Sequence, residues 1–190
     1  GQIRIRDGAE ETTISWPNGG TYRLEDLARV LGRPQFITEL APGVIEVRAA
    51  IIQTENTTLT VNAPVKEVHL VDNPHVFLGG IKAIARFDAV RVTSQSRTGT
   101  EPDTDYNDGR PFVLYQDGST LDITDSIFSY LGSDRSSAYG VSWRTGGTNG
   151  TVRDATFEHN FFGMYSYEAA NLSFYDNTFK ANVFYGVDPH

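Results

Sequence analysis

Gly140, Gly163 and Gly186 recur at intervals of 23 residues, each inside a short segment of the same character. The segments are Tyr139-Gly140-Val141-Ser142-Trp143-Arg144, Phe162-Gly163-Met164-Tyr165-Ser166-Tyr167 and Tyr185-Gly186-Val187-Asp188-Pro189-His190. A second set of columns supports the register: Asp125, Asp154 and Asp176 are each followed three residues later by Phe128, Phe157 and Phe179. Repeats of this length that carry short strands describe a solenoid, in which each turn buries its apolar side only against its neighbours. Few other architectures are open to such a chain.

Alternation within the repeat sets the geometry. Side chains on a strand point to opposite faces with period 2. Val141/Met164/Val187 and Trp143/Ser166/Pro189 therefore fall on one, mostly apolar, face. Ser142/Tyr165/Asp188 and Arg144/Tyr167/His190 fall on the other. Rungs of a parallel sheet stack about 4.8 Å apart, so the second set reads as a solvent-facing lane of Tyr, Arg, Asp and His. Such a lane suits a long polar ligand lying across the rungs better than it suits packing. Tyr185 aligns with Phe162 and Tyr139, which fits an aromatic stack as well as it fits catalysis. Lys180 is expected beside the same rungs.

The rest of the chain agrees. Residues 1–40 read as an entry segment and a capping helix, and residues 41–190 as rungs. A strand is expected at 2–6 and a turn cluster at 16–20. Over 24–31, Leu24, Leu27, Ala28, Val30 and Leu31 form an apolar helix face, Glu25 and Asp26 sit in the first turn, and Gly32 and Pro34 stop the helix. Strands are expected at 45–52, 58–61, 67–71, 75–78, 81–85, 89–93, 111–115, 121–124 and 127–130. Residues 94–110 lack apolar periodicity and read as a long loop, and 133–138 as a projecting one. A chain ending within a rung leaves an apolar cross-section and an unpaired edge. It therefore reads as the N-terminal portion of a longer protein, or as one whose end a partner covers.

Composition narrows the function. The formal net charge of −8 argues against a general nucleic-acid or anionic-membrane binder, which needs basic surface. It leaves room for an acidic substrate in a locally basic cleft. There are no cysteines, hence no disulfide framework and no thiolate chemistry. No apolar run reaches the length of a membrane span. Asp103-Thr104-Asp105-Tyr106-Asn107-Asp108-Gly109 starts like a calcium loop, but its glycine falls one position late and Leu114 stands where the distant glutamate belongs. It reads as a solvated acidic loop; no cofactor is required, and calcium dependence stays open without a clear motif to support it. His69, His75 and His159 have no companions at metal-ligand spacing and read as structural or surface residues.

The terminal Tyr185-Gly186-Val187-Asp188-Pro189-His190 resembles the signature of the mannuronan C5-epimerases, which convert β-D-mannuronate to α-L-guluronate within alginate. Tyr139–Arg144 and Gly163-Met164-Tyr165-Ser166-Tyr167-Glu168-Ala169 resemble the two preceding rungs of the periplasmic type. The resemblance implies a right-handed parallel β-helix with an N-terminal capping helix, an anionic polysaccharide substrate, and a periplasmic or secreted location. It also implies His190 as general base on C5, Asp188 as its neighbour in the motif, and Tyr185 at the place of a tyrosine linked to proton transfer in secreted relatives. The family's carboxylate-neutralising arginine lies on a rung after the motif, beyond His190. Arg144, Tyr165, Tyr167 and Lys180 would contact neighbouring uronates. Two other readings stay open: a β-helical uronan lyase working by β-elimination from the same enolate, and a non-catalytic glycan-binding β-helix.

Overall fold

A computed structural model describes residues 4–7, 12–16, 19–73 and 75–190. The chain winds into a parallel β-helix whose rungs contribute to three sheets. The first sheet runs Arg4–Asp7, Thr12–Trp16, Ala50–Gln53, Phe77–Ile81, Phe112–Gln116, Gly140–Arg144, Phe162–Tyr167 and Val187–Pro189. The second runs from Gly20–Arg23 through Thr57–Val61, Ile84–Asp88, Thr120–Thr124 and Gly150–Arg153 to Leu172–Tyr175. The third runs from Ile37–Ala41 through Val44–Val47, Glu67–Val71, Arg91–Gln95, Ile127–Ser129 and Thr156–Glu158 to Thr178–Lys180. Pairing is parallel except at the N-terminal ends, where Arg4–Asp7 meets Thr12–Trp16 and Ile37–Ala41 meets Val44–Val47 in antiparallel register.

The corners explain the aspartate column. Asp125, Asp154 and Asp176 all take a left-handed backbone, with φ of 46°, 53° and 54°. Asp tolerates that conformation better than most residues. The strand that follows each corner sends its phenylalanine inward. Phe128 and Phe157 stack with centroids 5.7 Å apart, and Phe157 and Phe179 with centroids 5.2 Å apart. At the next corner Asn160 and Asn182 close the turn-to-turn hydrogen bonds. The Asn160 side chain accepts from Leu131 N–H at 2.9 Å and donates to Phe128 O at 3.0 Å; Asn182 repeats this with Asn160 N–H and Phe157 O. Buried amides that would otherwise lack partners are thus satisfied by one side chain per rung.

Several expectations need correction. The single strand expected at 45–52 is two, Val44–Val47 and Ala50–Gln53, which lie in different sheets. Ile45 and Ile51 both point into the core from those separate walls. Parallel pairing also starts before the helix, since Thr12–Trp16 joins Ala50–Gln53 and Gly20–Arg23 joins Thr57–Val61. Residues 2, 3, 17 and 18 of the expected 2–6 strand and 16–20 turn lie outside the described residues. The helix forms as expected over Leu24–Leu31, and Gly32 ends it with φ 56° and its N–H on Ala28 O. Leu24 and Leu27 are buried and Ala28 and Leu31 pack against the core, but Val30 is 69% exposed. At 100° per residue Leu24, Leu27, Ala28 and Leu31 share one side of the helix and Val30 falls outside that stripe. Among the described residues, no helix is long and apolar enough to cross a membrane.

Candidate active site

The last three rungs of the first sheet keep the expected columns. Ser142 pairs with Tyr165 and Tyr165 with Asp188; Trp143 pairs with Ser166 and Ser166 with Pro189. Arg144 stands beside Tyr167. His190 extends the same register, its N–H on Ser166 O at 2.9 Å and its O accepting from Glu168 N–H at 3.0 Å. Inward, Val141, Trp143 and Met164 are buried, and Trp143 Nε1–H donates to Leu121 O at 3.1 Å. One detail differs. Gly140 faces Phe162 rather than Gly163, because a bulge between Gly140 and Ser142 shifts the register by one residue.

Glycine is required in these columns by close approach. A Cβ at Gly140 would sit 2.2 Å from Phe162 O, and one at Gly163 would sit 2.4 Å from Gly186 O. The carbonyl of the following rung occupies the space that a side chain would need. Gly163 N–H donates to Tyr185 O and Met164 N–H to Gly186 O, each at 2.9 Å. These bonds fix the backbone that leads into Asp188 and His190.

On the outward face, His190 Nε2 lies 3.2 Å from Asp188 Oδ1, with the imidazole half exposed and the carboxylate mostly covered. The Tyr165 ring packs on the imidazole at 5.7 Å between centroids. The Arg144 guanidinium lies 5.7 Å over the Tyr165 ring and 5.7 Å over the Tyr167 ring, and hydrogen-bonds Ser137 Oγ. Burial raises the Tyr165 phenol above its usual pKa, with Arg144 opposing the rise. At neutral pH Tyr165 is therefore a neutral hydroxyl, able both to donate and to accept. Tyr185 is exposed and stacks on Phe162 at 5.6 Å, and Phe162 in turn meets Tyr139 edge-on at 5.1 Å.

Asp188, His190, Tyr165, Tyr167 and Arg144 thus form one contiguous surface, and Tyr185 joins it through Phe162. Ser142 does not stay open to solvent as expected: it is fully buried and its Oγ has no partner. The reason is tertiary. The 133–138 loop projects at its exposed 134–136 tip, but its base lies against this face: Ser137 reaches Arg144, and Tyr139 packs on Tyr165 at 4.9 Å. Lys180 lies in the third sheet, where its Nζ pairs with Glu158 at 2.8 Å, and it extends that sheet's outward column instead. Local sequence gave no sign of the Ser137 contact, whereas Tyr139 and Phe162 were visible as members of the aromatic column. His159 stacks on Tyr130 and His69 sits between Glu67 and Gln95, both structural arrangements. A hollow of about 360 Å³ lies against the capping helix, at the opposite end of the solenoid.

No family model matches the chain. Among curated proteins it is 30% identical to the mannuronan C5-epimerase of Pseudomonas aeruginosa over 185 residues, which cover 90% of this chain and 34% of that protein. It is 30% identical to mannuronan C5-epimerase AlgG of Azotobacter vinelandii over 200 residues, covering 98% of this chain and 37% of that protein. This chain is a relative of the mannuronan C5-epimerases. It spans about a third of the length of the curated epimerases it matches. The solved structure of the periplasmic alginate epimerase AlgG superposes with a TM-score of 0.87 at 27% identity, covering 95% of this chain and 45% of that one. The epimerase likeness therefore extends to the whole stack of rungs, not only to the terminal motif.

Proposed function

We propose that this chain carries the proton-abstracting part of a periplasmic mannuronan C5-epimerase acting on polymeric alginate. The observation that carries the reading is the His190–Asp188 pair at the end of a lane of Tyr165, Tyr167 and Arg144, on a chain similar to epimerases along nearly all of its length.

The chemistry needs such a set. The C5 proton of a uronate is α to a carboxylate, so its removal builds a dianion-like enolate. A base with a pKa near the working pH is required, and histidine is the natural one. Asp188 Oδ1 stands 3.2 Å from His190 Nε2, placed to keep a proton on that nitrogen and leave the Nδ1 lone pair to take the one from C5. The enolate charge must be offset by positive charge or donors, and a second donor returns a proton to C5 from the opposite sugar face. Arg144 offers a planar fork that suits a neighbouring uronate carboxylate, and the Tyr165 and Tyr167 rings offer flat apolar faces and hydroxyls. An open lane of this kind accepts a polymer at any point along its length. That suits modification within a chain better than an enclosed pocket would.

The test is proton NMR of polymannuronate incubated with this chain, and with this chain continued to the length of its curated relatives. New guluronate signals without chain cleavage, abolished in His190→Ala while polymer binding persists, are the expected result. Unsaturated chain ends would move the assignment to a lyase. Binding with no turnover in any form would leave a glycan-binding solenoid.

A further inference from the structure

The loop that reads as solvated from sequence is not solvated at its start. Asp103 is 7% exposed, and so is Asp72 to within a percentage point, at 8%, on the turn after Glu67–Val71. Together with the exposed Asp108 they bring three carboxylate oxygens within 4.8 Å of one another. Oxygens bound to one calcium ion at about 2.3–2.6 Å can lie no more than about 4.6–5.2 Å apart. The cluster meets that limit.

A second observation points to a cation. Asp103 Oδ1 accepts the Asp105 N–H at 3.0 Å, but Asp103 Oδ2 is buried with no partner among the described residues. Asp72 Oδ1 is likewise buried and unpartnered, while Asp72 Oδ2 lies 3.7 Å from Arg97 Nη2. Leaving a charged oxygen buried without a donor or cation is costly. The Arg110 guanidinium does not supply the need. It is spent on backbone carbonyls, donating to Gly132 O at 2.9 Å, His159 O at 3.1 Å and Leu131 O at 3.4 Å, with a longer contact to Asp103 O. Burial pushes the Asp103 carboxyl up to about 6 and raises Asp72 as well, with Asp108 adding to both shifts. Burial is the larger part of each rise, and the neighbouring carboxylates add to it.

We propose that Asp72, Asp103 and Asp108 hold a hard divalent cation, calcium in the first instance, which pins the 96–110 loop to the turn after Glu67–Val71. The donor set is oxygen only, with no imidazole or thiolate, which suits calcium or magnesium over zinc. Three carboxylates from two separate segments, completed by water, fit calcium's tolerance of irregular geometry better than magnesium's octahedron. The site is unrelated to a helix–loop–helix calcium loop, which explains why the 103–109 spacing fails that pattern. It rests on its own residues and does not depend on the epimerase reading, although Asp108 O accepts from Arg135 Nη2 at 3.2 Å in the 133–138 loop that also reaches Arg144.

Thermal melting at pH 7.5 in 0.15 M NaCl tests it, on protein stripped with chelator and then titrated with calcium chloride. At a hundredfold excess over the dissociation constant, the melting temperature is expected to rise by roughly 5–10 °C. Calorimetric titration should give one site per chain. Asp108→Asn, an exposed change that keeps the fold, and Asp103→Asn should both lose the response. An equal rise in wild type and Asp108→Asn would reduce the effect to general screening of an acidic chain and overturn the proposal. So would an unresponsive wild type, or an Asp103→Asn variant that melts higher than wild type in saturating calcium.

Discussion

Replacing Gly163 by alanine tests whether the backbone approach between rungs sets the geometry of the terminal motif. The new Cβ would lie 2.4 Å from Gly186 O, where real Cβ contacts essentially never fall below 3.0 Å. The Gly186 carbonyl must therefore retreat by at least about 0.6 Å, the difference between those two distances. That movement stretches the 2.9 Å bond from Met164 N–H to Gly186 O towards about 3.5 Å, where it ceases to be a hydrogen bond. Losing one such bond costs about 0.5–1.5 kcal/mol. For a chain of this size the melting temperature should then fall by roughly 1–6 °C. The larger effect should be on turnover. Asp188 and His190 follow Gly186 by two and four residues, and a displacement approaching 1 Å costs up to about 100-fold in rate. The expected outcome is a folded variant with turnover reduced about 10- to 100-fold, read by guluronate formation alongside differential scanning calorimetry. A variant with both turnover and melting temperature at wild-type values would refute the reasoning, because the rung would then not depend on that contact.

Phe157→Ala removes the middle ring of the inner stack, a fully buried side chain between Phe128 and Phe179. Denaturant unfolding should show a loss of about 4 kcal/mol, and a loss below about 2 kcal/mol would mean that the rungs collapse to fill the gap. Lys180→Ala should leave turnover unchanged, since Lys180 belongs to the third sheet; a large loss of turnover would return it to the substrate lane. The same variant has a pH signature. The hydrogen bond from Lys180 lowers the Glu158 carboxyl below its ordinary 4.5, with Arg91 adding to the effect. A depressed carboxylate stabilises the fold above its unfolded pKa and loses that stabilisation as pH falls through the lowered value. The stability gap between wild type and Lys180→Ala should thus be open at neutral pH, at under about 1 kcal/mol for so exposed a lysine, and should close on acidification below about pH 4.

Much of the candidate site was legible in the sequence because it lies on regular rungs. Given a fixed spacing and period 2, the partners of Tyr165 and Asp188 follow from counting, and the pairing bears this out. The Phe128, Phe157 and Phe179 column was legible for the same reason. The bulge at Gly140 was not, because it keeps the 23-residue glycine spacing while shifting the local partner by one. The loop was legible over 96–110, whereas Ser94 and Gln95, expected in it, belong to the strand Arg91–Gln95, and the burial of Asp103 was not legible.

Sequence alone determined the solenoid, the aspartate and phenylalanine columns, the rung-to-rung partners in the first sheet and the adjacency of Asp188 and His190. All of these arise from local spacing and from contacts one rung apart. Tertiary structure alone decided that Ser142 is covered and that Asp72 meets Asp103 and Asp108. Those outcomes depend on where loops land after folding. No periodicity encodes them, because the interacting groups are brought together by the winding of the whole chain rather than by their positions within one repeat.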